Sequence, residues 1–288
     1  MTIYYGMIVM ATVLFSLQFV FNSGYERECG NDWSVSRNFA LITGIISAIF
    51  ALTLNEFRFE FSWFSAGIAI VYAVVNVLYS YASIKAFSVA NLSMYSMFAM
   101  LGGMLLPYLY DVITRFVKTA EVPSITGIVC CVLITVSLLL TVEKGTARKG
   151  AIKYYLLVFC LNGLVGVLST IHQSNNMAVS SNAFLFLNRM ATVMICLGFI
   201  LIDKNKSLKL TLKAVGYSAG YSIFCTTGNL LLLVALAAGV PAAVQYPIVT
   251  GGVIVLSAIV DVIRKEKVTP KTWIGVGIAF IASVVIAL

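Results

Sequence analysis

The chain has 288 residues, 60% of them hydrophobic and only 10% charged, against about 25% charged in an ordinary soluble domain. Its 19 Lys and Arg and 11 Asp and Glu are too few to cover a water-soluble core of this size, which excludes a soluble enzyme, a disordered chain and a secreted disulfide scaffold. The net charge of +8 is spread over short connections between apolar runs, without the aromatic-interleaved patch of a nucleic-acid surface, so it reads as charge beside a lipid bilayer.

Crossing the hydrocarbon takes about 20 mostly apolar residues, because every backbone polar group must be bonded within its own helix. Ten stretches meet that requirement. The first, 4–24, has no basic segment before it and no convincing cleavage site after it, so it is expected to be a retained helix; it carries Gln18 and Asn22. A polar connection is expected over Tyr25–Ser36. The second stretch, 37–55, starts at Arg37. The third, 63–87, contains Asn76 and Tyr79, and the fourth, 91–113, contains Tyr95, Gly102, Gly103 and Pro107. After the fifth, 123–142, the polar segment Glu143–Ile152 divides the chain almost in half. The sixth, 153–172, holds Asn162 and ends at His172. Arg189 lies inside the seventh, 182–202, and Asn229 inside the eighth, 212–238. The ninth, 241–263, contains Gln245, Tyr246, Pro247, Gly251 and Gly252, and the tenth is 270–288.

Trp33, Trp63 and Trp273 all fall at expected span ends, where an indole can sit between headgroup and acyl chain. Five of the six cysteines lie in apolar runs and read as small core fillers; Cys29 alone is in a polar segment, and neither a disulfide framework nor a metal motif appears. HExxH, GxSxG and Walker sequences are also absent. The chain is therefore read as no enzyme, and no cofactor is expected.

At an offset of 150 residues, Tyr4-Tyr5 falls on Tyr154-Tyr155, Gly102 on Gly252, Asp111-Val112-Ile113 on Asp261-Val262-Ile263, and Gly127 on Gly277. Two halves, 1–150 and 151–288, follow, each with five spans. Because five is odd, the halves enter the membrane in opposite senses. The expected fold class is an all-α polytopic membrane protein of ten transmembrane helices, built as two inverted five-helix repeats in one transmembrane domain.

The segment Tyr81-Ala82-Ser83-Ile84-Lys85-Ala86-Phe87-Ser88-Val89-Ala90 and the stretch Lys265-Glu266-Lys267-Val268-Thr269-Pro270-Lys271-Thr272-Trp273-Ile274-Gly275 carry a family resemblance. Arg37 and Arg189, near the starts of spans two and seven, add to it. On these residues the chain resembles the drug/metabolite transporter (DMT) superfamily, and within it the ten-helix EamA-type transporters, over essentially its whole length. The resemblance implies a central cavity formed by spans one, three, four, six, eight and nine, and transport by alternating access.

Ten spans put both termini on one side. The connections of that side carry Arg58, Arg115 and Lys118, whereas the opposite connections carry fifteen Lys and Arg. Basic residues stay cytoplasmic, so both termini are expected to face outward, in the cell (plasma) membrane.

All eleven carboxylates fall in connections or near span ends, with Asp111 and Asp261 expected at the membrane interface. A cavity without fixed negative charge suits a neutral or zwitterionic organic solute. The candidate solute-binding residues are Gln18, Asn22, Asn76, Tyr79, Tyr95, His172, Asn229, Gln245 and Tyr246, with Arg189 as a charge contact. Each also has a plainer reading, as a bond between helices or an interfacial anchor. Gly102, Gly103, Pro107, Pro247, Gly251 and Gly252 are candidates for a bent, closely packed helix pair, either static or rocking. The expected function is secondary transport of a small amino-acid-like metabolite, coupled to a proton or another ion. The alternatives are export of cationic drugs, or a non-transporting scaffold or lipid-modification subunit.

Overall fold

A computed structural model of the chain describes residues 2–89, 92–119, 125–141, 151–203, 211–238, 240, 242–266 and 268–285. Among them are ten helices: α1 (Thr2–Cys29), α2 (Trp33–Leu54), α3 (Trp63–Phe87), α4 (Leu92–Thr119), α5 (Ile125–Thr141), α6 (Ala151–Gln173), α7 (Ser181–Ile202), α8 (Leu212–Ala237), α9 (Ala242–Ile263) and α10 (Pro270–Val285). Among the described residues, six helices (α1, α2, α3, α4, α6 and α7) contain segments long and apolar enough to cross a membrane. Segments Ile125–Leu140, Ile248–Ile263 and Pro270–Val285 are apolar but shorter. The architecture is all-helical among the described residues and compatible with an integral membrane protein.

Side-chain polarity is arranged for an apolar solvent. On α3, Ile70, Val71, Val74 and Leu78 are exposed and share one face at helical spacing. Ser65, Tyr72, Tyr79 and Ser83 are buried on the opposite face. Buried positions of α2 include Ser36, Arg37, Asn38, Thr43 and Ser47. Several of these hydroxyls bond back to their own helix, as Thr43 Oγ1 does to the Phe39 carbonyl at 2.7 Å, which satisfies them without a partner helix.

The helix boundaries follow local chemistry. The polar connection expected over Tyr25–Ser36 is largely helix: α1 runs on to Cys29, α2 begins at Trp33, and the break falls at Gly30, whose φ of +89° suits the residue after a helix end. Tyr25 is buried because it packs on Phe39, with ring centroids 4.7 Å apart, and donates its hydroxyl to the Val35 carbonyl at 3.2 Å. Pro270 opens α10, where its missing N–H costs nothing.

The helices interlock across the two halves of the chain. α1 packs on α8 and α9, α6 on α3 and α4, α2 on α7 and α8, and α3 on α7; α5 meets α10, and α4 meets α9. The α4–α6 contact is made backbone to backbone: a Cβ added at Gly102 would lie 2.2 Å from the Phe159 carbonyl oxygen, and one at Gly163 2.8 Å from that of Gly102. Pro107 sits inside a continuous α4 and faces Gly166.

Two ends of the bundle differ in how they are tied. At one, the connections after α2 and α6 meet: Glu60 accepts the backbone N–H and the hydroxyl of Ser180, both at 2.8 Å, and Ser62 donates to the Met177 carbonyl at 2.7 Å. At the other, ion pairs join the halves: Arg27 with Glu266, Arg37 with Asp203 at 2.7 Å, and Lys213 with Glu28 at 3.4 Å.

Candidate functional site

α2, α7 and α8 enclose the site. α7 and α8 each pack on α2, but among the described residues they make little contact with one another. Between them is a small cavity lined by Ser47 and Ala51 of α2, Leu185 and Arg189 of α7, and Cys225, Thr226 and Asn229 of α8. Arg189 is eight residues from the start of α7 and Asn229 eight from the end of α8. At 1.5 Å per residue both lie about 12 Å inside the end tied by Glu60.

Arg189 is half-buried. It has no ion pair or hydrogen bond among the described residues, and its charge acts on Tyr221 and Cys225 of α8. Cys225 is hydrogen-bonded by Tyr221 and by Asn229, whose Nδ2 also donates to the Cys225 carbonyl at 2.7 Å. Tyr221 in turn lies within electrostatic range of Tyr72 and Tyr79 of α3. A single cation thus borders the neutral polar groups Ser47, Thr226 and Asn229, with Tyr221 within electrostatic range.

The central cavity expected from the sequence is, among the described residues around Arg189, only a small one. Beside Arg189 the free space is about 10 Å³, room for about one water molecule. Side chains fill the rest: Tyr79 and Tyr95 join hydroxyl to hydroxyl at 2.8 Å, Ser83 adds a bond to Tyr95 at 2.9 Å, and the rings of Phe87 and Phe19 pack on Tyr95. The helices lining the cavity are also different from those expected, with α2 and α7 taking part. A larger space of about 400 Å³ lies on the outside, between α4 and α5, against apolar side chains such as Leu109, Val112 and Ile128. None of its described lining residues is charged.

Of the residues singled out from the sequence, Arg189 and Asn229 meet in the cavity. Tyr79 and Tyr95 are spent on one another. Gln18, Asn22 and Asn76 lie in the interior of α1 and α3, each with one buried amide atom (Oε1, Oδ1 and Nδ2) without a protein partner among the described residues. His172 is elsewhere: it is buried near the Glu60 end, its ring stacked on Phe184 at 3.8 Å and its Nε2 3.0 Å from Ser65 Oγ, which fits the plainer reading of a satisfied helix-end residue. Asn162 donates to the Ala99 carbonyl at 2.6 Å and ties α6 to α4. The side chains of Gln245, Tyr246, Pro247 and Asp111 lie outside the described residues. Gly103 is packed on Asn162, Gly251 on Phe280 and Gly252 on Thr12, so these glycines admit neighbouring side chains.

Asp261, near the end of α9, is tied to the start of α4. It is fully buried and accepts the N–H groups of Leu92 and Ser93, at 3.0 and 2.6 Å. The first amides of a helix have no partner within it, and here the carboxylate of α9 supplies one to α4.

Sequence reasoning missed Ser47, Tyr221, Cys225 and Thr226. Cys225 was read as filler because a cysteine in an apolar run has no outward sign of polarity. The Arg189 charge in mid-span is the sequence signal that lies at this cavity.

No protein-family model and no curated protein matches the chain. A solved structure, described as a crystal structure of a protein, resembles it over 98% of this chain and 94% of the other, with a TM-score of 0.59 and 12% sequence identity. At that identity the likeness shows the fold alone.

Proposed function

We propose that the chain is a secondary transporter of a small neutral or zwitterionic organic metabolite, working by alternating access, and that it is an EamA-type member of the drug/metabolite transporter superfamily. All ten helices then cross the plasma membrane, with both termini outward. The observation that carries the reading is Arg189: a cation about 12 Å inside a helical bundle, without a protein counter-ion among the described residues, beside a cavity with hydroxyl and amide walls. An intramembrane charge is costly unless it serves a path or a ligand.

The packing pattern supports two inverted repeats. Exchanging each helix for the one five places on turns α1–α8 into α6–α3, α4–α6 into α9–α1, and α2–α8 into α7–α3, while α2–α7, α4–α9 and α5–α10 map onto themselves. Every one of those contacts is present. An arrangement built of two equivalent, oppositely inserted halves has two equivalent conformations, one open to each side. In the present one, Glu60–Ser180 ties one end and the ion pairs tie the other. Export of cationic drugs is disfavoured, because the charged group at the cavity is itself a cation.

Solvent access to Cys225 tests this. With Cys225 retained as the sole cysteine, a membrane-impermeant thiol reagent should label it in folded protein, and labelling should fall when a transported solute is added. A Cys225 that reacts only after denaturation would point instead to a scaffold with a sealed interior.

A further inference from the structure

We infer that Arg189 receives the carboxylate of the transported solute, so that the substrates are organic monocarboxylates, amino acids among them. The inference rests on the carrier reading and specifies its substrate class. Three observations lead to it. First, the guanidinium has no anionic partner among the described residues, whereas three cations at the ion-pair end have one: Arg37 bonds Asp203, Arg27 bonds Glu266, and Lys213 bonds Glu28. Second, Arg189 borders the cavity, and the other polar lining groups, Ser47, Thr226 and Asn229, are uncharged donors and acceptors. Third, the preceding residue of α7 is a second unsatisfied group: Asn188 is fully buried, and neither amide atom has a partner among the described residues.

Charge balance selects among anions. One cation neutralises one carboxylate, and a guanidinium matches its two oxygens with two parallel N–H donors. A phosphate monoester carries about −1.5 to −2 at neutral pH and would leave excess charge in a site with a single cation. A primary amine would face the guanidinium without any carboxylate to offset it. Ala51 and Leu185 give the cavity an apolar wall for the rest of the solute, and α7 and α8, which pack on α2 and make little contact with one another among the described residues, can part to admit it.

The test is ligand-induced thermal stabilisation of the purified full-length protein. The probes are aliphatic and aromatic monocarboxylates and amino acids, each beside its amide, its decarboxylated amine and a phosphate monoester of similar size. Carboxylates should raise the melting temperature of the wild type, and amides, amines and phosphates should not. Arg189→Gln should weaken carboxylate binding at least about tenfold, and Arg189→Lys should recover part of it. Should either variant fail to fold, the carboxylate and amide arms on wild-type protein still decide the matter. Equal stabilisation by acids and amides, unchanged in Arg189→Gln, would overturn the role of Arg189 and leave the carrier reading standing. Stabilisation by none of the probes would overturn the substrate class, while labelling of Cys225 separately decides whether the protein is a carrier.

Discussion

Asp261, two residues from the end of α9, accepts the backbone N–H of Ser93 at 2.6 Å across 168 residues of sequence. With the bond to Leu92 it anchors the start of α4 on the opposite half of the chain. A capping residue contributes about 0.5–2 kcal/mol, and a buried amide left without a partner costs about 1–3 kcal/mol. Asp261→Ala should therefore destabilise by about 2–3 kcal/mol. Asp261→Asn, which retains an acceptor, should cost less. Thermal unfolding in detergent, wild type against both variants, checks the order.

Arg37 is 1% exposed and is held by the third-exposed carboxylate of Asp203, while its Nε and Nη2 have no partner among the described residues. Removing one member of a buried pair costs about 3–5 kcal/mol, whereas an apolar side chain of similar volume in place of the ion is often tolerated. Asp203→Ala should then be the more damaging change, at about 2–3 kcal/mol given its partial exposure, and Arg37→Met the milder one. Unfolding midpoints of the two variants, compared with the double variant, give the comparison.

The contact between α4 and α6 leaves no room for a methyl group. Gly102→Ala would place Cβ against the Phe159 backbone, which cannot rotate away, so the helices must separate at a cost of about 1–3 kcal/mol. Gly198, with no neighbour within 4 Å of an added Cβ, is the control: Gly198→Ala should be neutral or stabilising by up to about 1 kcal/mol.

Glu60 lies in the connection after α2, and the hydrogen bonds from the Ser180 N–H and hydroxyl hold its carboxyl below the usual value of 4.5. A depressed native value means that the tie is fully present above the unfolded carboxyl value and is lost as pH falls through the native one. Hydrogen exchange over residues 174–183 should thus rise at acid pH in the wild type relative to Glu60→Gln, whose exchange should be faster at neutral pH and show no such step.

Much of the fold is legible in the sequence. Every helix begins within four residues of the expected start, since an apolar run bounded by polar residues has one stable form in lipid. The ends were less legible: α1 continues to Cys29 because Tyr25 finds Phe39 and Val35, contacts that no local pattern reveals. At the site, a charge in mid-span marks itself, as Arg189 did. Neutral polar residues do not, because an Asn in a membrane helix looks the same whether it bonds a neighbour, as Asn162 does to Ala99, or lines a cavity, as Asn229 does. Asp261 was legible as a carboxylate near a span end and not as the cap of a helix 168 positions away.

Counterflow in proteoliposomes tests the central claim most directly. Vesicles carrying the purified protein and loaded with an unlabelled monocarboxylate or amino acid should transiently accumulate the labelled solute above its equilibrium level, and vesicles carrying Arg189→Gln should not. Uptake no greater than in protein-free vesicles, across acids, amino acids, amides and amines alike, would contradict it.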